Sequence, residues 1–116
     1  MRSIIVVAAA LAGCMTIDSK PIEMPMPTPA ERVWQDNAFP MLVQQCAECH
    51  RYNQVGFLDG NNLWEVRETL VTSTVVDLQE PTKSRLLVMG VHSGPALTAE
   101  QTSTLLEWLT AERAER

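Results

Sequence analysis

The stretch that determines both the fold and the chemistry of this chain is QQCAECHR, at positions 44–51. It holds two of the chain's three cysteines and one of its two histidines. Two residues separate Cys46 from Cys49, and His50 follows directly. In a tight helical turn this spacing puts two thiols on one side of the backbone, next to an imidazole. The segment therefore predicts a site where all three side chains act on one group.

The N-terminus indicates where the protein is found. Arg2 is followed by an apolar run, 4–13, which is too short to span a bilayer as a helix. It is typical of a signal peptide, residues 1–13. The sequence Leu-Ala-Gly-Cys at 11–14 resembles the bacterial lipoprotein box, which implies that Cys14 is lipidated after cleavage. An ordinary secretory signal with an incidental Cys14 is the alternative. Both interpretations predict export to the cell envelope.

Residues 14–29 are predicted to form a tether between the lipid and a folded domain. Prolines at 21, 25, 27 and 29 favour extended chain, giving a semi-rigid spacer of roughly 40 Å. Met15 after Cys14, in place of an aspartate, favours the outer membrane over the inner one by enterobacterial-type sorting. The net charge of −5, without a basic run, gives no reason to expect nucleic acid as a partner.

The remaining chain, 30–116, is predicted to form one small all-α domain. A capping box at Thr28 and Pro29 marks a first helix. Because Pro40 lacks a backbone N–H, we expect a fresh helix start near Asn37. From there an apolar stripe (Phe39, Leu42, Val43, Cys46) leads to the cysteine pair.

Three further helical segments are predicted: 62–71, 82–89, and a C-terminal helix that begins with a capping box at Thr98. The segment 73–78 is β-branched, but it has no second strand to pair with. In the segment 62–71, Leu63, Val66, Leu70 and Trp64 are predicted to face the core. From residue 38 on, the domain has few large aromatics: Phe39, Tyr52, Phe57, Trp64 and Trp108. The sequence thus predicts three to five short helices, and a domain this small is marginally stable unless something else fills its centre.

The pattern C-x-x-C-H at 46–50 is the attachment pattern of c-type haem. Each thiol can add to one vinyl group of the porphyrin, and the adjacent imidazole of His50 can then bind the iron. Three alternatives remain: a thioredoxin-like thiol pair, a zinc site that includes His92, and a structural disulfide. The first would be expected near a βαβ unit, the second does not match common zinc spacings, and the third leaves His50 unexplained.

The order of these features resembles a bacterial class I cytochrome c domain. An apolar helix leads into the attachment motif, and later segments read S-x-L-L at 84–87, L-T-x-E at 97–100 and W-L at 108–109. The resemblance implies a small cytochrome c-like fold with one haem c. Cys46 and Cys49 would hold it covalently, and His50 would be its proximal ligand. The first and last helices would cross beside it.

The distal iron ligand is where this chain departs from that family. Such domains commonly have Met-Pro-Pro shortly before L-T-x-E, whereas residues 89–95 here read MGVHSGP. His92 lies near the place of the family's methionine, in a loop with Gly90, Gly94 and Pro95. We therefore predict His92 as the distal ligand, with Met89 as the alternative. Neither residue need bind iron: His92 could be a solvated loop residue, and Met89 a core methionine.

These features predict an electron carrier, not an enzyme. The expected role is single-electron transfer between periplasmic or membrane redox proteins, by a monohaem lipoprotein anchored facing the periplasm. A haem-based sensor or small-ligand binder is the alternative that shares the cofactor. A third hypothesis is an interaction lipoprotein without haem, whose cysteines form a disulfide.

Overall fold

The structure is a computed structural model that describes residue 13 and residues 19–51, 56–88 and 94–116. The domain is all-α, as predicted, and these described ranges contain no β-strand. The described part of the predicted tether, 19–28, has no regular secondary structure and is exposed throughout. No helix within the described ranges has the length and apolar character needed to cross a membrane.

The first half of the domain follows one continuous helical path. Helix α1 (Pro29–Val33) passes into a π-helical segment, Trp34–Ala38, and then into α2 (Phe39–His50). The predicted capping box at the start of α1 is confirmed. The Thr28 hydroxyl accepts a hydrogen bond from the Glu31 N–H at 3.2 Å, and the Glu31 carboxylate accepts one from the Thr28 N–H at 2.8 Å. Residues of its own first turn therefore cap helix α1.

The predicted fresh start near Asn37 is wrong. Ala38, which precedes α2, has helical backbone angles, and its side chain makes no capping bond. Instead the Phe39 N–H donates to the Trp34 carbonyl, five residues back. In a regular α-helix, Pro40 would remove one such bond and clash with the preceding turn. The wider π turn shifts the hydrogen-bond partners by one residue, so the helix continues through the proline.

The described part of the second half contains three α-helices and a 3₁₀ turn. Helix α3 (Leu63–Thr72) begins at Asn62, whose side chain accepts hydrogen bonds from two backbone N–H groups. The predicted helix at 82–89 is shorter in the described part: a 3₁₀ turn, Pro81–Lys83, precedes α4 (Arg85–Val88). Helix α5 (Ala99–Glu115) begins with the predicted capping box at Thr98.

The core lies where α5 packs against α1 and the π segment. Trp34 is completely buried, and its ring centroid lies 4.6 Å from that of Trp108 and 5.3 Å from that of Phe39. The sequence predicted Trp64, not Trp34, to face the core, yet Trp64 is 40% exposed. That prediction was wrong, because Trp64 stands at a position of α3 that faces solvent while Val66 and Leu70 face the core.

Candidate functional site

The predicted thiol pair lies in the last turns of α2. Cys46 is half-buried and packs against the core, and Cys49 is exposed. Because residues three apart on a helix are neighbours, the two thiols lie on the same side of α2. They are not joined to each other by a disulfide. This arrangement therefore gives no support to the structural-disulfide alternative.

The surroundings of Cys46 disfavour its thiolate form. Burial, and secondarily the nearby Cys49, raises the pKa of the Cys46 thiol above its ordinary value. Catalytic thiol pairs of the thioredoxin type have a lowered pKa that favours the thiolate. The described residues also lack the β-strands on which such pairs are found. Both observations count against the thioredoxin-like alternative.

His50 ends α2 and is held by the chain that follows it. Its imidazole centroid lies 4.4 Å from the ring centroid of Phe57, with 32° between the two planes. The His50 carbonyl accepts a hydrogen bond from the Leu58 N–H at 3.3 Å. Leu58 itself is buried in the core, with 3% of its surface exposed. The chain after the motif thus returns to cover the end of the helix.

A small cavity lies between α2 and the start of α3. Its volume is about 50 Å³, and its lining includes Phe39, Val43, Ala47 and Leu63. That space holds a few water molecules at most. A porphyrin is far larger, so this cavity is not the space that a haem would fill.

Three predicted site residues lie outside the described residues: Cys14, Met89 and His92. Tyr52, one of the domain's large aromatics, lies outside them as well. The lipid anchor and both candidates for the distal ligand therefore stay predictions.

The zinc alternative receives no support from the described ranges. Within them, no three His, Cys, Asp or Glu side chains form a group that could hold a metal ion. Cys46, Cys49 and His50 thus do not converge on one tetrahedral site. The same residues fit covalent haem attachment, because that chemistry needs two thiols one turn apart and a neighbouring imidazole, without convergence of all three on the metal.

The structure also shows a charged cluster (Arg67, Glu112, Glu115, Arg116) that the sequence analysis did not find. Glu112 is completely buried on α5. Its carboxylate accepts hydrogen bonds from the Arg67 Nε–H, from the Trp108 indole at 2.9 Å and from Arg116 Nε at 3.1 Å. A buried carboxylate needs such partners to offset its desolvation.

A sequence signal for this cluster existed. Positions 105, 108, 109 and 112 recur at intervals of three and four, so Glu112 completes the apolar stripe of α5 with an acidic side chain. An acid on the buried face of a helix implies a cationic partner on a neighbouring element. The sequence alone does not say which cation that is.

Glu115 links the end of α5 to the start of α1. Its carboxylate accepts hydrogen bonds from the Ala30 N–H and from the Thr28 hydroxyl, both at 2.9 Å. Desolvation alone would raise the pKa of Glu115. The two hydrogen bonds, with the charges of Arg67 and Arg116, outweigh it and hold the pKa below its ordinary value of 4.5. The anionic form of Glu115 therefore stabilises the fold.

Comparisons of the chain with protein-family models, with curated proteins and with solved structures gave no match.

Proposed function

We propose that this protein is a monohaem c-type cytochrome that carries single electrons in the cell envelope. The observation that carries the proposal is the arrangement of the motif. Cys46 and Cys49 lie on one side of the end of α2, without a disulfide between them, and His50 follows directly.

The roles of the three residues follow from their chemistry. Each thiol would add across one vinyl group, forming a C–S bond while the thiol hydrogen goes to carbon, so attachment needs no oxidant. His50 would supply a neutral imidazole nitrogen to the iron. Bound haem supplies a one-electron iron couple, and the protein's contribution is to hold it, limit water and set its potential.

The fold supports a cytochrome c-like arrangement at the level of helix packing. The helical path that leads into the motif begins at α1, and α1 and the π segment pack against the C-terminal helix α5. The resemblance implies contact between the first and last helices, and this packing is consistent with it. The domain's largest buried rings, Trp34 and Trp108, are in contact there.

The proposed setting is a lipid anchor at Cys14 with the domain facing the periplasm, the outer membrane being favoured. The exposed chain 19–28 would form part of the tether. Partners would be periplasmic or membrane redox proteins, and the net charge of −5 favours partners with a basic docking surface through electrostatic steering. Fractionation of wild-type protein and Cys14→Ser tests the anchor: the wild type should sediment with membranes and the variant should not.

The deciding experiment is expression with the cytochrome c maturation machinery, followed by haem staining on a denaturing gel. Staining that survives denaturation is expected, since thioether bonds do not dissociate. A full-length mature protein without stain would contradict the proposal and favour the interaction lipoprotein.

A second experiment separates an electron carrier from a sensor: the native, haem-loaded protein is reduced and exposed to carbon monoxide. Rapid and complete binding would favour the sensor, which needs an open distal position.

The distal ligand has its own test, with His92→Ala and Met89→Ala as a matched pair. We propose bis-histidine coordination by His50 and His92, which would give a lower potential than a His/Met site of similar exposure. The oxidised wild type should then lack the far-red thioether-to-iron charge-transfer band. A band that is present in the wild type and His92→Ala, and lost in Met89→Ala, would assign Met89 instead.

A further inference from the structure

We infer that Phe57 is a positioning residue for His50, fixing the plane of the imidazole and keeping water from it, and so raising the reduction potential. This inference rests on the proposed function, because His50 is taken as the proximal iron ligand. It adds a residue that lies outside the C-x-x-C-H motif. Phe57 would act through His50 and would not itself bind the iron.

The contact between the two rings is the first observation. The centroids of His50 and Phe57 are 4.4 Å apart, and their planes differ by 32°. That separation puts the two rings in contact, and the angle of 32° makes them a tilted pair. Both residues are half-buried. Rotation of the imidazole about its side-chain bond would therefore push it into the phenyl ring.

Phe57 is itself held in place by its neighbours. A hydrogen bond of 3.1 Å from the Asp59 N–H to the Gly56 carbonyl closes a tight turn around it. Leu58 is anchored in the core, and its N–H donates to the His50 carbonyl.

Gly60 fixes the far end of the same turn. A Cβ atom at this position would lie only 2.9 Å from a Val66 methyl group and 3.1 Å from the Val66 N–H, so the turn lies directly against α3. Two anchors thus follow directly after Phe57: Leu58 binds the end of α2, and Gly60 lies against α3. A ring carried this way can constrain His50, whereas a ring on a loose loop could move aside.

The expected consequence concerns the iron's electronics. Residues around a metal-bound histidine orient the ligand and control solvent access, and both affect redox potential. The ferric state carries one more positive charge than the ferrous state, so water near the ligand favours the ferric state and lowers the potential. An apolar ring against the imidazole has the opposite effect. Phe57 should therefore favour the reduced form.

The test compares Phe57→Ala, Phe57→Leu and Phe57→Tyr in the haem-loaded, full-length protein. Phe57→Ala removes the ring and admits water, Phe57→Leu keeps an apolar group without a ring, and Phe57→Tyr keeps the ring. Phe39→Leu is the matched control, because Phe39 is the chain's other phenylalanine and its ring contacts Trp34. Three measurements are made on each: covalent haem by denaturing gel, reduction potential by redox titration, and the ferric paramagnetic resonance spectrum.

In Phe57→Ala, we expect haem content near that of the wild type and a lower potential. At a fixed ambient potential the oxidised-to-reduced ratio should rise by roughly threefold or more, and the resonance spectrum should broaden as the imidazole samples several orientations. Phe57→Leu should also broaden the resonance spectrum, but with a smaller change in the oxidised-to-reduced ratio. Phe57→Tyr, which keeps the ring, should give the wild-type spectrum. Phe39→Leu should lower stability without changing either redox readout.

A Phe57→Ala protein that retains its haem with unchanged potential and spectrum would overturn the inference and leave the proposed function intact. So would equal shifts in Phe57→Ala and Phe39→Leu, since they would reflect general loosening of the fold. If Phe57→Ala does not accumulate, Phe57→Leu decides by the same criteria. Absence of covalent haem in the wild type, by contrast, would be a failure of the proposed function itself.

Discussion

The two ends of the first helical path differ in how firmly the protein holds them. At the start, α1 and the π segment pack against α5, and Trp34, Trp108 and Glu112 are completely buried. At the end, Cys49 is exposed, while Cys46 and His50 are half-buried. Packing at the first end stabilises the fold, whereas the second end leaves the thiols and the imidazole of the motif at least partly exposed to solvent. Stability and proposed chemistry thus occupy different parts of one helical path, and substitutions should affect them separately.

The largest expected effect is loss of the cofactor from the accessible end. In Cys46→Ala and Cys49→Ala, covalent haem on a denaturing gel should fall sharply, because each thiol would carry one thioether bond. Ser103→Ala, an exposed position on α5, serves as the control and should keep full staining. Unchanged staining in both cysteine variants would rule out the attachment scheme.

Substitutions at the packed end should lower the free energy of unfolding. Trp34→Ala would leave a cavity beside Trp108 and Phe39 and remove the hydrogen bond of 2.8 Å from the indole to the Leu63 carbonyl. A buried tryptophan truncated to alanine costs about 3–5 kcal/mol of unfolding free energy. Urea titration followed by circular dichroism measures the cost.

Trp64→Ala is the matched control for that loss. Because its side chain is 40% exposed, its truncation should cost much less than that of Trp34. Equal costs for the two tryptophans would contradict the assignment of Trp34 to the core.

The charged cluster should show an intermediate effect. Glu112→Gln keeps the size of the side chain but removes the charge that pairs with Arg67, whose side chain is only 11% exposed. Loss of a charged hydrogen-bond partner costs about 1.5–3 kcal/mol. Glu107→Gln, on the exposed side of α5, is the control and should be nearly neutral. If Glu112→Gln retains wild-type stability, the cluster does not hold α3 to α5.

The smallest expected effect is a pH dependence from Glu115. The pKa of Glu115 is lower in the folded state than its ordinary value of 4.5. The carboxylate therefore stabilises the fold fully at pH values above 4.5, and this stabilisation is lost as the pH falls through the folded-state pKa. Glu115→Gln should cost about 0.5–1 kcal/mol at neutral pH, as for loss of a helix cap, and less at high salt. Unfolding free energies measured from pH 7 to pH 3 should therefore converge for wild type and variant. A constant difference over that range would contradict the role of the charge.

Helix beginnings were predictable because their causes are local. Thr28 and Thr98 form capping boxes with residues three positions away, and Asn62 caps α3 from the adjoining position. The motif at 46–50 was equally readable, since its spacing fixes the relation of its side chains within one helix. The helix through Pro40 was not readable in the same way. A proline favours a break, and only the structure shows that a π turn stands there instead, through the hydrogen bond from the Phe39 N–H to the Trp34 carbonyl.

The sequence by itself determined the all-α class, the helix caps and the positions of Cys46, Cys49 and His50, because hydrogen bonds and spacings within a few residues decide them. Tertiary structure alone decided which tryptophan is buried, which cation meets Glu112 and which ring covers His50. Each of these depends on contacts between helices or between a helix and a returning loop. Residue type sets the energy of such a contact, but the three-dimensional path of the backbone selects the partner.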